Sequence, residues 1–260
     1  MAPFDRGLTE RFPLPAYDQP APRHHVPESR FGVWFLDTWM WKDRVLRVAL
    51  RDLQGLMARP HAHYPVVLDA GCGHGRSFAA LKRAFRPRRI IGVDCDPKVL
   101  ANARRRAAES GRMEVTVMEG SCADLPLAAA SVDLIFCHQT FHHLVDQHGA
   151  LSEFHRVLKP GGVLLFAEST RAYIETWIIR WFFRHPMEVQ RSADEYLALL
   201  RSHGFVVAAD AVSYPYLWWS RPDLGLLERI FGIAPPAPGH RDETLVNAVA
   251  IKPAPSFAPT

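Results

Sequence analysis

Short apolar, β-branched runs alternate with stretches of helical periodicity through the middle of this chain, and that order admits few architectures. The runs are Val66-Val67-Leu68, Arg89 to Val93, Glu114 to Met118, Val132 to Cys137 and Gly162 to Ala167. Between them Ser77 to Ala84, Pro97 to Ser110 and His148 to Leu158 read as helices, and Gly161-Gly162 after Pro160 marks the turn into the fifth run. Parallel strands joined by crossover helices have this signature. After Ala167 the order changes. Arg171 to His185 is an aromatic-rich insertion, Ser192 to His203 reads as a helix with Ser192 as N-cap and Gly204 just past its end, and Phe205 to Tyr214 is strand-like. A helix over about Pro222 to Phe231 and a last strand over Leu245 to Ile251 complete the expectation. The chain is therefore expected to be α/β, a doubly wound, mostly parallel sheet of seven strands.

Residues 1–28 carry six prolines and few aliphatics, which suits an irregular arm. In residues 29–60 the stripe Trp34, Phe35, Trp39, Val45, Leu46, Val48, Leu53 and Leu56 predicts an N-terminal helical cap of one or two helices. Residues 61–253 form the main domain, interrupted at 171–190 by the aromatic insertion after strand 5, and residues 254–260 read as a disordered tail.

The first strand ends at Asp69, ahead of three glycines at alternate positions, Gly71, Gly73 and Gly75. Glycine permits positive φ and close approach of backbone to a ligand, and the helix that follows offers free amides. Such a loop suits a nucleotide-like ligand, although the string alone is weak evidence. The second strand ends at Asp94, nineteen positions beyond Gly75, where a carboxylate can accept hydrogen bonds from both ribose hydroxyls. A dinucleotide dehydrogenase would need glycine or alanine at position 76. Arg76 stands there, so that reading loses most of its weight.

Charge and cysteine usage narrow the class. Lys and Arg number 31 against 27 Asp and Glu, and the arginine runs carry no interleaved aromatics, which argues for solvated helix faces and against nucleic acid. The four cysteines, Cys72, Cys95, Cys122 and Cys137, form no CxxC pair, and a reducing cytoplasm fits them best. All four fall at or just beyond predicted strand ends, where small packing residues are the simpler account. The longest apolar stretches are broken by charge, as at Glu175, Arg180 and Arg184, so no membrane span is expected, and peripheral membrane contact stays open.

Four stretches occur in order: VVLDAGCGHG, IIGVDCDP, the Gly120 to Leu127 segment with its DLPL, and HRVLKPGGVLLFAE. Together they resemble the class I, seven-stranded S-adenosylmethionine methyltransferases, particularly the group with quinone and small-molecule methylases, over about Pro65 to Ser169. The resemblance implies a Rossmann-like sheet and S-adenosylmethionine as cofactor. It implies that Gly71, Cys72, Gly73 and Gly75 wall the cofactor, with Asp69 near the methionine amine, Asp94 on the ribose and Cys95 against the adenine. Ser121 and Cys122 fall where the family meets the adenine edge. Position 121 is usually acidic in relatives, so Ser121 departs from the pattern. His138 is expected near the methionine moiety or the sulfonium.

His138, His142 and Glu168 are the candidate catalytic bases, because they lie on the strand-end edge where open α/β sheets bind ligands. The His138, His142 and His143 cluster could suggest a metal, but no matching cysteine or carboxylate spacing accompanies it, and no metal is expected. Tyr173, Trp177, Ile178, Trp181 and Phe182, with Tyr214, Tyr216, Trp218, Trp219, Trp34 and Trp39, would either pack a cap or roof a pocket for an apolar acceptor such as a quinone, phenol, polyketide or lipid. Two functions follow: methyl transfer to a small apolar acceptor, or a catalytically silent cofactor-binding subunit serving a partner. The intact loop and Asp94 favour the first.

Overall fold

The computed structural model describes residues 26, 28–58, 62–111 and 113–254, so most of the proline-rich arm and the tail lie outside the described residues. Seven strands form one sheet: β1 (Val66–Ala70), β2 (Arg89–Asp94), β3 (Glu114–Glu119), β4 (Val132–His138), β5 (Leu158–Ser169), β6 (Val212–Ser213) and β7 (Leu245–Ile251). Their order is β3-β2-β1-β4-β5-β7-β6. Strands β1 to β5 are parallel, and β7 runs antiparallel between β5 and β6. The winding reverses between β1 and β4, which opens a crevice at the carboxyl ends of those strands, where open α/β sheets bind ligands.

Alternation along the buried strands feeds two cores. In β4 and β5, Ile135, Cys137, Leu164 and Phe166 face one layer, with Phe154 from α5 (Gln147–Val157) and Tyr196 from α8 (Ala193–Ser202). Leu134, Phe136, Leu165 and Ala167 face the other, with Phe78 and Leu81 from α3 (Phe78–Phe85) and Leu100 from α4 (Pro97–Ala108). Leu46, Leu50 and Leu53, spaced as one helix face, bring α2 (Arg47–Leu56) into that second layer, so α2 serves as one of the sandwich helices. Among the described residues, α1 (Arg30–Leu36) and a π-helical turn, Trp41–Leu46, stand over the glycine loop as a cap.

Ser192 caps α8 as expected, in a reciprocal capping box with Glu195, and Gly204 follows at φ 82°. The insertion after β5 forms two short helices, α6 (Arg171–Ile174) and α7 (Trp177–Phe182). Two expectations need correction. Within Phe205 to Tyr214 only Val212–Ser213 pairs as a strand, with an isolated bridge from Val206 to Ile251, because the poor strand formers Ala209–Ala211 coil into a 3₁₀ turn. The last helix, α9, is confined to Leu226–Phe231, since Leu224 and Gly225 both take positive φ and delay its start.

Candidate functional site

The glycine loop leaves β1 and folds back on β2: the amides of Gly71 and Cys72 both donate to the Val93 carbonyl. All three glycines have positive φ, but their surroundings differ. A Cβ at Gly71 would meet Thr140, and one at Gly75 would meet Phe78 and Ala103, so both are required by packing. At Gly73 a Cβ would meet nothing within 4 Å. Gly73 is thus the glycine that faces open space, while Gly75 and Asp69 do not line the cavity above the loop.

Asp94 closes the loop from β2. Its Oδ2 accepts from the Gly73 amide at 2.8 Å and its Oδ1 from the Asp96 amide at 3.0 Å. The cavity over this pair is lined by Cys72, Gly73, Asp94, Cys95, Ser121, Cys122 and His138, among others. Asp69 lies beneath it, 3% exposed, and accepts a hydrogen bond from the Ser77 hydroxyl. Burial, with the charge of Asp94 adding, raises its carboxyl to about 7 against the opposing Ser77 bond. Burial pushes the Cys95 thiol up to about 12, so that sulfur is a neutral packing atom.

His138 ends β4, stacked on Phe136 and edge-on to Trp41 of the π-helical turn. It is 6% exposed, and neither ring nitrogen has a hydrogen-bond partner. Burial, with His142 contributing, lowers it to about 3, so the imidazole is neutral. Gln139 follows it with φ 52°, a strained conformation for this residue, and its Oε1 accepts from the Ser169 hydroxyl.

A second, apolar cavity adjoins the first, and Glu28, Leu36, Trp41, Gln139 and His143 line both. Its own walls include Phe35, Tyr173, Ile178, Phe182, Trp218 and Trp219. Of the aromatics expected to roof it, Trp34, Trp39, Trp177 and Trp181 instead point outward, 62 to 76% exposed. Tyr216 is covered by the Arg241 guanidinium at 4.0 Å.

Of the histidines expected as one cluster, His138 lines the loop cavity, His142 the apolar one and His143 both. His142 and His143, in the 3₁₀ turn after β4, turn into the apolar cavity and meet His185 from the insertion. The Nδ1 of His142 lies 2.7 Å from Glu168 Oε2. Glu168 is fully buried and lines neither cavity; its Oε1 accepts from the Thr140 and Phe141 amides. So enclosed, the Glu168 carboxylate is placed to hold the His142 ring and is exposed to neither cavity, unlike the strand-edge base expected from the sequence.

Asp37 binds the cap to the loop. It accepts from Arg76 Nε and Arg106 Nη2, each at 2.8 Å, while His74 in the loop bonds to the Val33 carbonyl and to Asn102. Glu28, Asp37, Gln139 and His185 all bear on the site, and sequence reasoning missed them, since each depends on contacts between distant segments.

Residues 68–166 match the family described as a methyltransferase domain. That stretch is similar to a methyltransferase domain. A Mycolicibacterium smegmatis protein named as an S-adenosylmethionine-dependent methyltransferase is 42% identical over 105 residues, covering 40% of this chain and 38% of that protein. A Syntrophotalea carbinolica protein named as a ubiquinone/menaquinone biosynthesis C-methyltransferase is 35% identical over 125 residues, covering 46% of this chain and 52% of the relative. The chain thus spans about half or less of the length of these curated relatives. Among solved structures, a chain from the complex of the Haloferax volcanii Trm112 methyltransferase activator with a methyltransferase superposes with a TM-score of 0.63 at 24% identity, over 88% of this chain and 98% of that one. The seven-stranded sheet thus shares its fold with that methyltransferase structure.

Proposed function

We propose that the protein transfers a methyl group from S-adenosylmethionine to a small, largely apolar acceptor. The observation that carries this reading is the pair of adjoining cavities, one over the glycine loop and Asp94, the other apolar, with Gln139, Trp41 and His143 on their shared wall. The cofactor suits the first cavity on three counts. Open space above Gly73 admits it against bare backbone, Asp94 offers a carboxylate for the ribose hydroxyls, and His138 brings two unpartnered, buried ring nitrogens. Cys95, Ser121 and Cys122 would border the adenine. The Asp94 carboxylate, on the cavity wall, complements a ligand that carries positive charge.

When bound, S-adenosylmethionine supplies an electrophilic methyl group on its sulfonium. Transfer of this kind is an in-line displacement, so the chain's main task is alignment, with proton removal needed only for acceptors that must lose one. His142, held by Glu168 through Nδ1, faces the acceptor cavity and can act on such a proton. The aromatic and aliphatic walls exclude water and select apolar acceptors such as quinones, phenols, polyketides or lipids. A relative named for quinone biosynthesis agrees with that choice. No helix among the described residues is long and apolar enough to cross a membrane. A lipid-like acceptor would be met at a membrane surface by the exposed Trp177 and Trp181.

The test is incubation of the purified protein with methyl-labelled S-adenosylmethionine and a panel of phenols, quinones, thiols and lipids. Label in an apolar product supports the reading. Tight cofactor binding with no product from any acceptor, a lipid extract included, would support the catalytically silent subunit in its place.

A further inference from the structure

We propose that His142, His143 and His185 form a binding site for a divalent transition-metal ion of the zinc class, with its open coordination position turned into the apolar cavity. Each imidazole offers one nitrogen, and the three nitrogens lie within 4.8 Å of one another. Their ring centroids are 4.3, 4.7 and 5.2 Å apart, so the groups converge from two separate segments, the 3₁₀ turn after β4 and the chain beyond α7. In a tetrahedral zinc centre with bonds of 2.0–2.1 Å the ligand nitrogens stand about 3.4 Å apart, so side-chain shifts of roughly 1 Å close the set.

The surroundings are those of a ligand set. His142 Nδ1 is hydrogen-bonded to Glu168 Oε2 at 2.7 Å, which turns Nε2 towards the cluster. A buried carboxylate on the far nitrogen of a ligating histidine is the usual outer-shell device, fixing the tautomer and raising ligand basicity. Glu168 is itself fixed by the Thr140 and Phe141 amides. Glu28 Oε2 lies 3.9 Å from His143 Nε2, where its charge offsets that of a cation. Three imidazoles without thiolate suit Zn²⁺ better than Mg²⁺ or Ca²⁺.

All three histidines line the apolar cavity, so the remaining coordination position is available to a water or to an acceptor hydroxyl. An ion there would polarise that oxygen and lower its pKa. This last consequence rests on the proposed methyl transfer, whereas the metal site does not, and the two are tested separately.

Metal-stripped full-length protein is titrated with Zn²⁺ against a chromophoric chelator, without S-adenosylmethionine. One equivalent per chain is expected. His185→Ala and His143→Ala should each weaken binding more than about 100-fold, exceeding the 10–100-fold typical of outer-shell losses. His148→Ala, an exposed histidine outside the cluster, should match wild type. Absence of stoichiometric binding, or binding unchanged in His185→Ala, overturns the site and leaves three imidazoles packed on one another. Should the variants misfold, Co²⁺ added to the wild type decides: intense visible bands of a four- or five-coordinate centre support the site, and the weak spectrum of hexahydrated ion refutes it.

Discussion

Asp69 is buried beneath the cavity over the glycine loop, close enough to Asp94 for the two charges to interact, so its ionisation should respond to the proposed cofactor. Its carboxyl is raised from 3.8 to about 7, so the folded protein holds a proton through that range which the unfolded chain has released. For a raised acid the sign is that stability falls as pH rises from about 4 to 7. A cationic ligand favours the ionised form, so binding expels the proton and tightens as pH rises through 7. Calorimetric affinity for S-adenosylmethionine should therefore be higher at about pH 8 than at about pH 6, by at most roughly tenfold per pH unit below the midpoint. Asp69→Asn should flatten the profile. An equal pH dependence in the variant would assign the effect elsewhere. At this scale Asp94 and the glycines were legible in the sequence, because strand ends and glycine spacing are local signals. The different parts of Gly73 and Gly75 were not, because a packing neighbour such as Ala103 is invisible along the chain.

Among the elements, the parallel strands read clearly because strands buried on both faces are nearly continuous apolar runs. Phe205 to Tyr214 read poorly because edge pairing, and not composition, decides which of those residues join a sheet. The cap was legible as helix but not in its attachment: Asp37 meets Arg76 and Arg106 across long separations in sequence, as His185 meets His142. Although burial opposes it, the hydrogen bond from Arg76 and the charge of Arg106 hold the Asp37 carboxyl below its usual range. These pairs are partly exposed, so together they contribute about 1 kcal/mol or less after solvent screening. Asp37→Asn should leave the melting temperature within a few degrees of wild type while amide hydrogen exchange in Arg30–Leu36 quickens. Unchanged exchange there would mean that apolar contacts alone dock the cap.

Seen whole, the molecule places two cavities at the strand-end crevice and an aromatic rim outside them. Trp177 and Trp181 are 63% and 76% exposed on α7, with the exposed Arg180 between them and Arg184 just beyond. Indole rings flanked by arginine suit the interface of an anionic bilayer. Trp177→Ser with Trp181→Ser should abolish co-flotation with anionic vesicles and leave activity on a water-soluble acceptor intact. Equal flotation by wild type and variant would remove the rim from the account. The central claim concerns the cavity over the glycine loop, and calorimetry with S-adenosylmethionine on three proteins tests it most directly. Wild type should bind; Gly73→Val, strained at φ 49° by about 1–2 kcal/mol but with open space for its side chain, should stay folded and lose binding; Gly75→Val, at φ 72° and also forced against Phe78 and Ala103, should lose about 1–3 kcal/mol more through overpacking. Wild-type affinity retained in a folded Gly73→Val protein would contradict the account.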